Sequence, residues 1–218
     1  FLIGSISHGV SEVKNVLESE DLFSTIHCLK KLGVKIKKFG KKNYHIYGKG
    51  LGSLYAKKNS MLNCGNSGTC ARLLIGILST TPDIEVRIKG DKSLNKRNML
   101  KLIKIMNEFG AEFYPKNKVF LPLKIISSDM PIGIKFNSEV SSQIKSACIL
   151  SGLNSFGKTT IIEKIRSRDH TEKMVSNSPN VIKIKNSKDK REIKIIGKSH
   201  LEPFNIKIPG DPSSAAFF

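Results

Sequence analysis

The sequence predicts an α/β fold of the mixed (α+β) kind, assembled from a repeated unit. Three observations carry that expectation. A pattern of strand, polar cap, helix and stop recurs three times along the chain. A two-strand hairpin follows each copy, and one further helix lies between each of the first two hairpins and the next strand. Matching features recur after roughly 70 to 77 residues, longer than most solenoid periods.

Taken in order, Phe1-Leu2-Ile3-Gly4-Ser5-Ile6 reads as the tail of a helix that opens the first unit. Residues 10–17 then read as a strand, Ser19-Glu20-Asp21 as a cap, residues 22–32 as a helix and Gly33 as its stop. Glycine adopts the left-handed C′ conformation without strain, and Lys30 and Lys31 suit the negative end of the helix dipole. Residues 34–39 and 44–47 form the expected hairpin, joined by the polar Gly40-Lys41-Lys42-Asn43. Residues 67–78 read as the intervening helix.

The second copy runs from a strand at 84–88 through Gly90-Asp91-Lys92-Ser93 to a helix at 99–109, Gly110, and a hairpin of 111–114 with 119–121. A helix at 141–153 follows, with Ile144, Ala147, Cys148 and Leu150 at helical spacing. The third copy has a strand at 159–165, Ser167-Arg168-Asp169, a helix from Thr171, and a hairpin of 181–184 with 192–196. Residues 206–208 read as one more strand, and Pro209-Gly210-Asp211-Pro212-Ser213-Ser214 as a turn and the capped start of a fourth helix.

Composition narrows the function. Hydrophobic residues make up 39% of 218 residues. No apolar run approaches the roughly 18 residues of a membrane span, and no charged-then-apolar leader opens the chain. Phe1 in place of Met points to a start further upstream. Cys28, Cys64, Cys70 and Cys148 show no CxxC spacing and no accompanying His cluster, which argues against zinc. Cys28 and Cys148 fall in helical apolar patterns and read as buried thiols of a reducing, cytosol-like compartment.

The net charge of +19 admits a polyanion partner such as nucleic acid. However, only six of the 37 basic residues are Arg, Trp is absent, and the charge is spread along the chain. Nucleic-acid modules more often interleave clustered Arg with aromatics, so a solvated lysine-rich surface is the favoured reading.

Four segments carry candidate chemistry. Asn63-Cys64-Gly65-Asn66-Ser67-Gly68-Thr69-Cys70-Ala71-Arg72 is a small-residue loop feeding a helix. Backbone N–H groups there, at the positive end of the dipole, can bind phosphate or carboxylate. Read alone, it is equally an ordinary glycine-rich turn with a Ser cap. Ser138-Glu139-Val140-Ser141-Ser142-Gln143-Ile144-Lys145 is the equivalent helix start one unit later; alone it reads as an N-cap.

In Ser167-Arg168-Asp169-His170-Thr171-Glu172-Lys173-Met174, Asp169 or Thr171 can cap the helix, in a capping-box-like spacing with Glu172. Arg168 can clamp an anion bidentately. His170, with no carboxylate partner assigned, reads first as structural. Lys96-Arg97 occupies the strand-to-helix corner that matches Arg168.

Together these stretches resemble the 5-enolpyruvylshikimate-3-phosphate (EPSP) synthase family. The matching segments are Gly65-Asn66-Ser67-Gly68-Thr69-Cys70-Ala71-Arg72, Ser141-Ser142-Gln143-Ile144-Lys145-Ser146-Ala147, Arg168-Asp169-His170-Thr171-Glu172-Lys173-Met174 and Gly210-Asp211-Pro212-Ser213-Ser214-Ala215-Ala216. They fall in the family's order over essentially the whole chain. The resemblance implies three pseudo-symmetric βαβαββ units forming one domain of an enolpyruvyl transferase-like inside-out barrel. Residues 1–204 would be that domain, with units at about 1–50, 51–125 and 126–204 and the first truncated. Residues 205–218 would be the severed start of a fourth unit and second domain.

The implied reaction joins shikimate 3-phosphate to phosphoenolpyruvate with release of phosphate, without metal or organic cofactor, in a cytoplasmic enzyme that is a monomer when full length. By resemblance, Ser141, Ser142, Gln143 and Arg168 belong to the shikimate 3-phosphate site, with Ser167 an alternative to Arg168. Gly68, Arg97 and Gln143 belong to the phosphoenolpyruvate site, and a side chain at Gly68 would crowd the herbicide glyphosate. The family's Lys-Ser and Arg motif would lie just before Phe1, and its acidic base in the second domain, so this chain alone is expected to be inactive. The alternatives are an enolpyruvyl transferase acting on a nucleotide sugar, which would need a reactive loop cysteine, and a basic nucleic-acid-binding module.

Overall fold

The computed structural model describes residues 1–138 and 141–210. In chain order the elements are α1 (Leu2–Ile6), β1 (His8–Lys14), α2 (Glu20–Lys31), β2 (Lys35–Lys38), β3 (Tyr44–Lys49), β4 (Ser60–Asn63), α3 (Gly68–Ser79) and β5 (Glu85–Lys89). There follow α4 (Leu100–Glu108), β6 (Glu112–Tyr114), β7 (Leu123–Ile126), β8 (Lys135–Ser138), α5 (Ser142–Asn154), β9 (Lys158–Glu163), α6 (His170–Val175), β10 (Ile182–Asn186), β11 (Arg191–Ile196) and β12 (Asn205–Lys207).

The local signals act as the sequence predicts. The Ser19, Ser67 and Ser141 hydroxyls accept from the backbone N–H groups of Leu22, Cys70 and Ile144 at 3.4, 3.2 and 3.4 Å, capping α2, α3 and α5. Gly33 and Gly110 end α2 and α4 with φ of 83° and 93°, the left-handed conformation a side chain would strain.

The repeat is visible in the sheets. Three four-stranded sheets have the orders β12-β1-β3-β2, β4-β5-β7-β6 and β8-β9-β11-β10. In each, the first pair is parallel and the other two are antiparallel. The second and third units therefore read strand, helix, parallel strand, helix, hairpin.

The first sheet borrows its opening strand from the far end of the chain. β12, which the sequence pattern assigns to a following unit, pairs with β1 in the register Glu12 to Asn205 through Lys14 to Lys207. Asn15 adds a side-chain hydrogen bond to the Ile208 carbonyl at 2.8 Å. The fourth-helix start expected beyond Gly210 lies outside the described residues.

Two details differ from the sequence reading. The second hairpin closes with Leu123–Ile126, not with residues 119–121. Pro122 has no N–H to place in a ladder, and the Val119 carbonyl is used by the Met99 N–H at 2.8 Å. The edge strands β4 and β8 were also not anticipated. Each has four residues, with Ser and Asn or Lys and Asn among them, too short and polar for alternation to register.

The core lies where the helices α1, α3 and α5 are buried. α5 is buried all round from Lys145 to Asn154, which explains its lack of an amphipathic stripe. α3 and α5 meet backbone to backbone: a Cβ on Gly76 would lie 2.6 Å from the Ala147 carbonyl oxygen. Ser151 then donates to the Gly76 carbonyl at 2.9 Å, satisfying a polar group inside the contact.

Candidate functional site

The repeat brings two of these capped helix starts, those of α3 and α5, side by side, and their loops meet through three side chains. Arg72, one turn into α3, donates from Nη1 to Gln143 Oε1 at 2.6 Å. Gln143, in the first turn of α5, donates from Nε2 to Thr69 Oγ1 at 2.8 Å. Arg97, at the end of the short turn after β5, donates from Nη2 to Asn66 Oδ1 at 2.9 Å.

Gly68 sits between the two guanidiniums. A Cβ there would lie 2.7 Å from Arg97 Nη1 and 3.0 Å from Arg72 Nη1. Glycine is needed because the backbone N–H groups of the α3 start and two cationic forks occupy the same small volume. Burial, and then the nearby Arg97 charge, lower the Arg72 pKa. Two like charges beside a helix N-terminus make a place where an anion is favoured.

Ser141, Ser142, Gln143 and Arg168 line one cleft of ≈ 1110 Å³, and Ser167 joins them. Lys101, Lys104 and Arg166 complete its basic lining, and Phe136 gives it an apolar patch. A neighbouring recess of ≈ 360 Å³ shares Lys101, Ser141 and Gln143 and adds Arg72 and Asn98. No described residue lining either space is acidic.

The sequence-predicted residues thus fall into two groups. Ser141, Ser142, Gln143 and Arg168 share the large cleft. Gly68 and Arg97 lie beside it at the α3 start and connect through Arg72. Arg72 was not singled out, although its spacing of four from Gly68 puts both on one helix face. Lys101 and Lys104 share a face of α4 by a similar spacing. His170 is exposed and does not line the cleft.

Behind the Ser167-Arg168 corner lies a buried charge cluster that the sequence did not disclose. Lys145 Nζ reaches Glu163 at 3.0 Å and Glu172 at 2.7 Å, with all three side chains fully buried. Arg191 approaches both carboxylates at 3.5 Å. Glu163 Oε1 accepts from the Ser167 N–H at 2.8 Å and the Ser167 hydroxyl at 2.7 Å, fixing the corner that carries Arg168. Burial acts to raise the Glu163 pKa, but Ser167 and Lys145 hold it below the usual carboxylate value.

This arrangement also corrects the capping expectation. The Asp169 side chain makes no cap bond and instead pairs with Lys173 at 3.1 Å. Glu172 does not turn back to the helix start, because Lys145 draws it inward.

Two basic forks at a glycine-bearing helix start, opening on a cleft lined by basic and hydroxyl side chains one repeat away, define a repeat-built α/β protein with a cationic cleft. The family model described as EPSP synthase (3-phosphoshikimate 1-carboxyvinyltransferase) matches residues 1–218. The chain belongs to that family.

A 3-phosphoshikimate 1-carboxyvinyltransferase of Novosphingobium aromaticivorans is 39% identical over 220 residues, covering 100% of this chain and 49% of that protein. One from Ruegeria sp. (strain TM1040) is 35% identical over 217 residues, covering 99% and 48%. The solved EPSP synthase of Acinetobacter baumannii superposes with a TM-score of 0.87 at 34% identity, over 99% of this chain and 48% of that one. The chain therefore spans about half the length of the curated relatives it matches. No helix among the described residues is long and apolar enough to cross a membrane.

Proposed function

We propose that the chain supplies one face of the active site of a 3-phosphoshikimate 1-carboxyvinyltransferase. The reaction moves the enolpyruvyl group of phosphoenolpyruvate onto the 5-hydroxyl of shikimate 3-phosphate and releases inorganic phosphate. The observation that carries this reading is the pairing of Arg72 and Arg97 around Gly68, tied by Gln143 to the cleft of Ser141, Ser142 and Arg168.

Each group has a task set by its chemistry. Gly68 and Arg97, with Arg72 beside them, hold the phosphate and carboxylate of phosphoenolpyruvate. Ser141, Ser142 and Arg168 hold shikimate 3-phosphate, whose phosphate suits a guanidinium fork. Gln143 lies between the two and orients one substrate against the other. Charge that develops as the 5-hydroxyl adds to C2 of the enol phosphate, and as inorganic phosphate then leaves to give the enol ether product, is met by fixed cations and helix-terminal N–H groups.

In this reading the three units form one domain that ends not at residue 204 but with β12, whose residues 205–207 complete the first sheet, and the complementary half of the protein closes the cleft and carries the acid–base groups. The whole enzyme is a cytoplasmic monomer whose partners are its two substrates, with no cofactor, metal, nucleic acid or membrane required.

Calorimetric titration of the chain with shikimate 3-phosphate and with phosphoenolpyruvate tests the proposal, alongside a phosphate-release assay. Saturable binding of shikimate 3-phosphate without turnover is expected, with turnover appearing when the complementary half is supplied. Absence of binding to both the chain and the reconstituted protein would sink the reading.

A further inference from the structure

Cys28, Cys64 and Cys70 are far apart or ill-spaced in sequence, yet their sulfurs all lie within 4.8 Å of one another. They come from three places: the middle of α2, the loop after β4, and the first turn of α3. All three are buried, at 0%, 0% and 1% exposure, and none is in a disulfide. Cys28 donates its S–H to the Asn63 carbonyl at 3.3 Å, next to Cys64. Cys148, the fourth cysteine, is buried elsewhere and does not join the cluster.

The geometry points to a three-sulfur site for a soft monovalent cation of the Cu(I) class. Among the described residues no fourth His, Cys, Asp or Glu offers a ligand within the cluster. Structural zinc takes four protein ligands, and catalytic zinc completes its shell with water. The complete burial of these sulfurs leaves no open position for water, so zinc is poorly served. Thiolates select soft ions such as Cu(I). Reaching metal–sulfur distances of ~2.3 Å requires each sulfur to move inward by only roughly half an ångström. Cys64 and Cys70 bracket Gly65, Asn66, Ser67, Gly68 and Thr69, so a bound ion would pin both ends of the anion-binding loop.

The test is an anaerobic titration of the chain with Cu(I), supplied as its acetonitrile complex, against a chromophoric Cu(I) chelator. Wild-type protein is expected to withdraw one equivalent. Cys28→Ser, Cys64→Ser and Cys70→Ser should each weaken uptake by at least about 100-fold, the upper end of what mutating a mere supporting residue costs a metal site. Cys148→Ser should retain the full equivalent. Copper X-ray absorption on the loaded wild-type chain, which needs no variant to fold, should report three sulfur neighbours. Equal uptake by wild type and the triple Ser variant, or a first shell containing nitrogen or oxygen, would overturn the site. Displacement of Cu(I) by equimolar Zn(II) would overturn its assignment to a soft monovalent ion.

Discussion

Arg72 and Gln143 lie 71 residues apart and are joined by a 2.6 Å hydrogen bond from guanidinium to amide oxygen. The bond couples α3, one turn from its start, to the first turn of α5, and so couples two repeats at the rim of the cleft. Because α3 and α5 are capped by Ser67 and Ser141 and packed together at Gly76 and Ala147, neither end of the bond is free to drift.

Gln143→Ala removes this bridge while leaving the cap of α5 intact. In the proposed function Gln143 also bonds the charged substrate, and a hydrogen bond to a charged group contributes about 1.5–3 kcal/mol, so affinity for phosphoenolpyruvate should fall by roughly tenfold or more. Thermal unfolding should move little, since Gln143 is only partly buried. Calorimetry and a melting curve on the same sample separate the two effects.

Gly68→Ala should act on ligands and not on the fold. The new Cβ meets the ends of Arg97 and Arg72, which are flexible side chains, at 2.7 and 3.0 Å. Both guanidiniums must shift outward, into the space an anion would occupy. In the proposed function, glyphosate inhibits the reconstituted full-length enzyme, and G68A raises its inhibition constant more than the KM for phosphoenolpyruvate. Equal change in both constants would contradict this.

Lys145→Met leaves Glu163 and Glu172 buried together, with Arg191 as the one remaining cationic partner among the described residues. Breaking a buried ion pair from one side costs about 3–5 kcal/mol. A fall of that size in unfolding free energy should appear in urea denaturation. Replacing all three charged residues with apolar ones should recover part of it, which a simple cavity effect would not do.

Glu163 should contribute a defined acid limb to stability. Its folded pKa is depressed, with Ser167 and Lys145 hydrogen-bonding to the charged form against the opposing effect of burial. The stabilisation is therefore complete above its ordinary pKa of about 4.3 and is lost as pH falls through the lower folded value. The stability gap between wild type and Glu163→Gln should be flat near neutrality and should narrow below about pH 4.3. Denaturant midpoints measured across that range check the sign.

Sequence reading succeeded at three helix caps and two helix stops, where the controlling interaction is local, and failed at the Asp169 cap, where Lys173 takes the carboxylate. Ser19, Ser67 and Ser141 cap helices through bonds to residues three positions on, and Gly33 and Gly110 answer a single backbone angle. Such features are written in a few consecutive residues. The short edge strands β4 and β8 were missed because their stability comes from the parallel partners β5 and β9 and not from their own pattern.

The basic composition concealed another part of the site. Among 37 basic residues, nothing local distinguishes Lys145, fully buried between two carboxylates, from a solvated lysine. Nor does spacing reveal that Cys28 meets Cys64 and Cys70.

From its sequence alone this protein's repeat, the helix caps at Ser19, Ser67 and Ser141, the stops at Gly33 and Gly110, and its family resemblance were legible, because each rests on near neighbours or on motif order. Tertiary structure alone decided that β12 completes the first sheet, that Arg72 grips Gln143, that Lys145 is sealed against Glu163 and Glu172, and that three thiols converge. Those contacts join residues that the chain separates, and only the packing of one repeat on the next determines which of many possible partners each side chain meets.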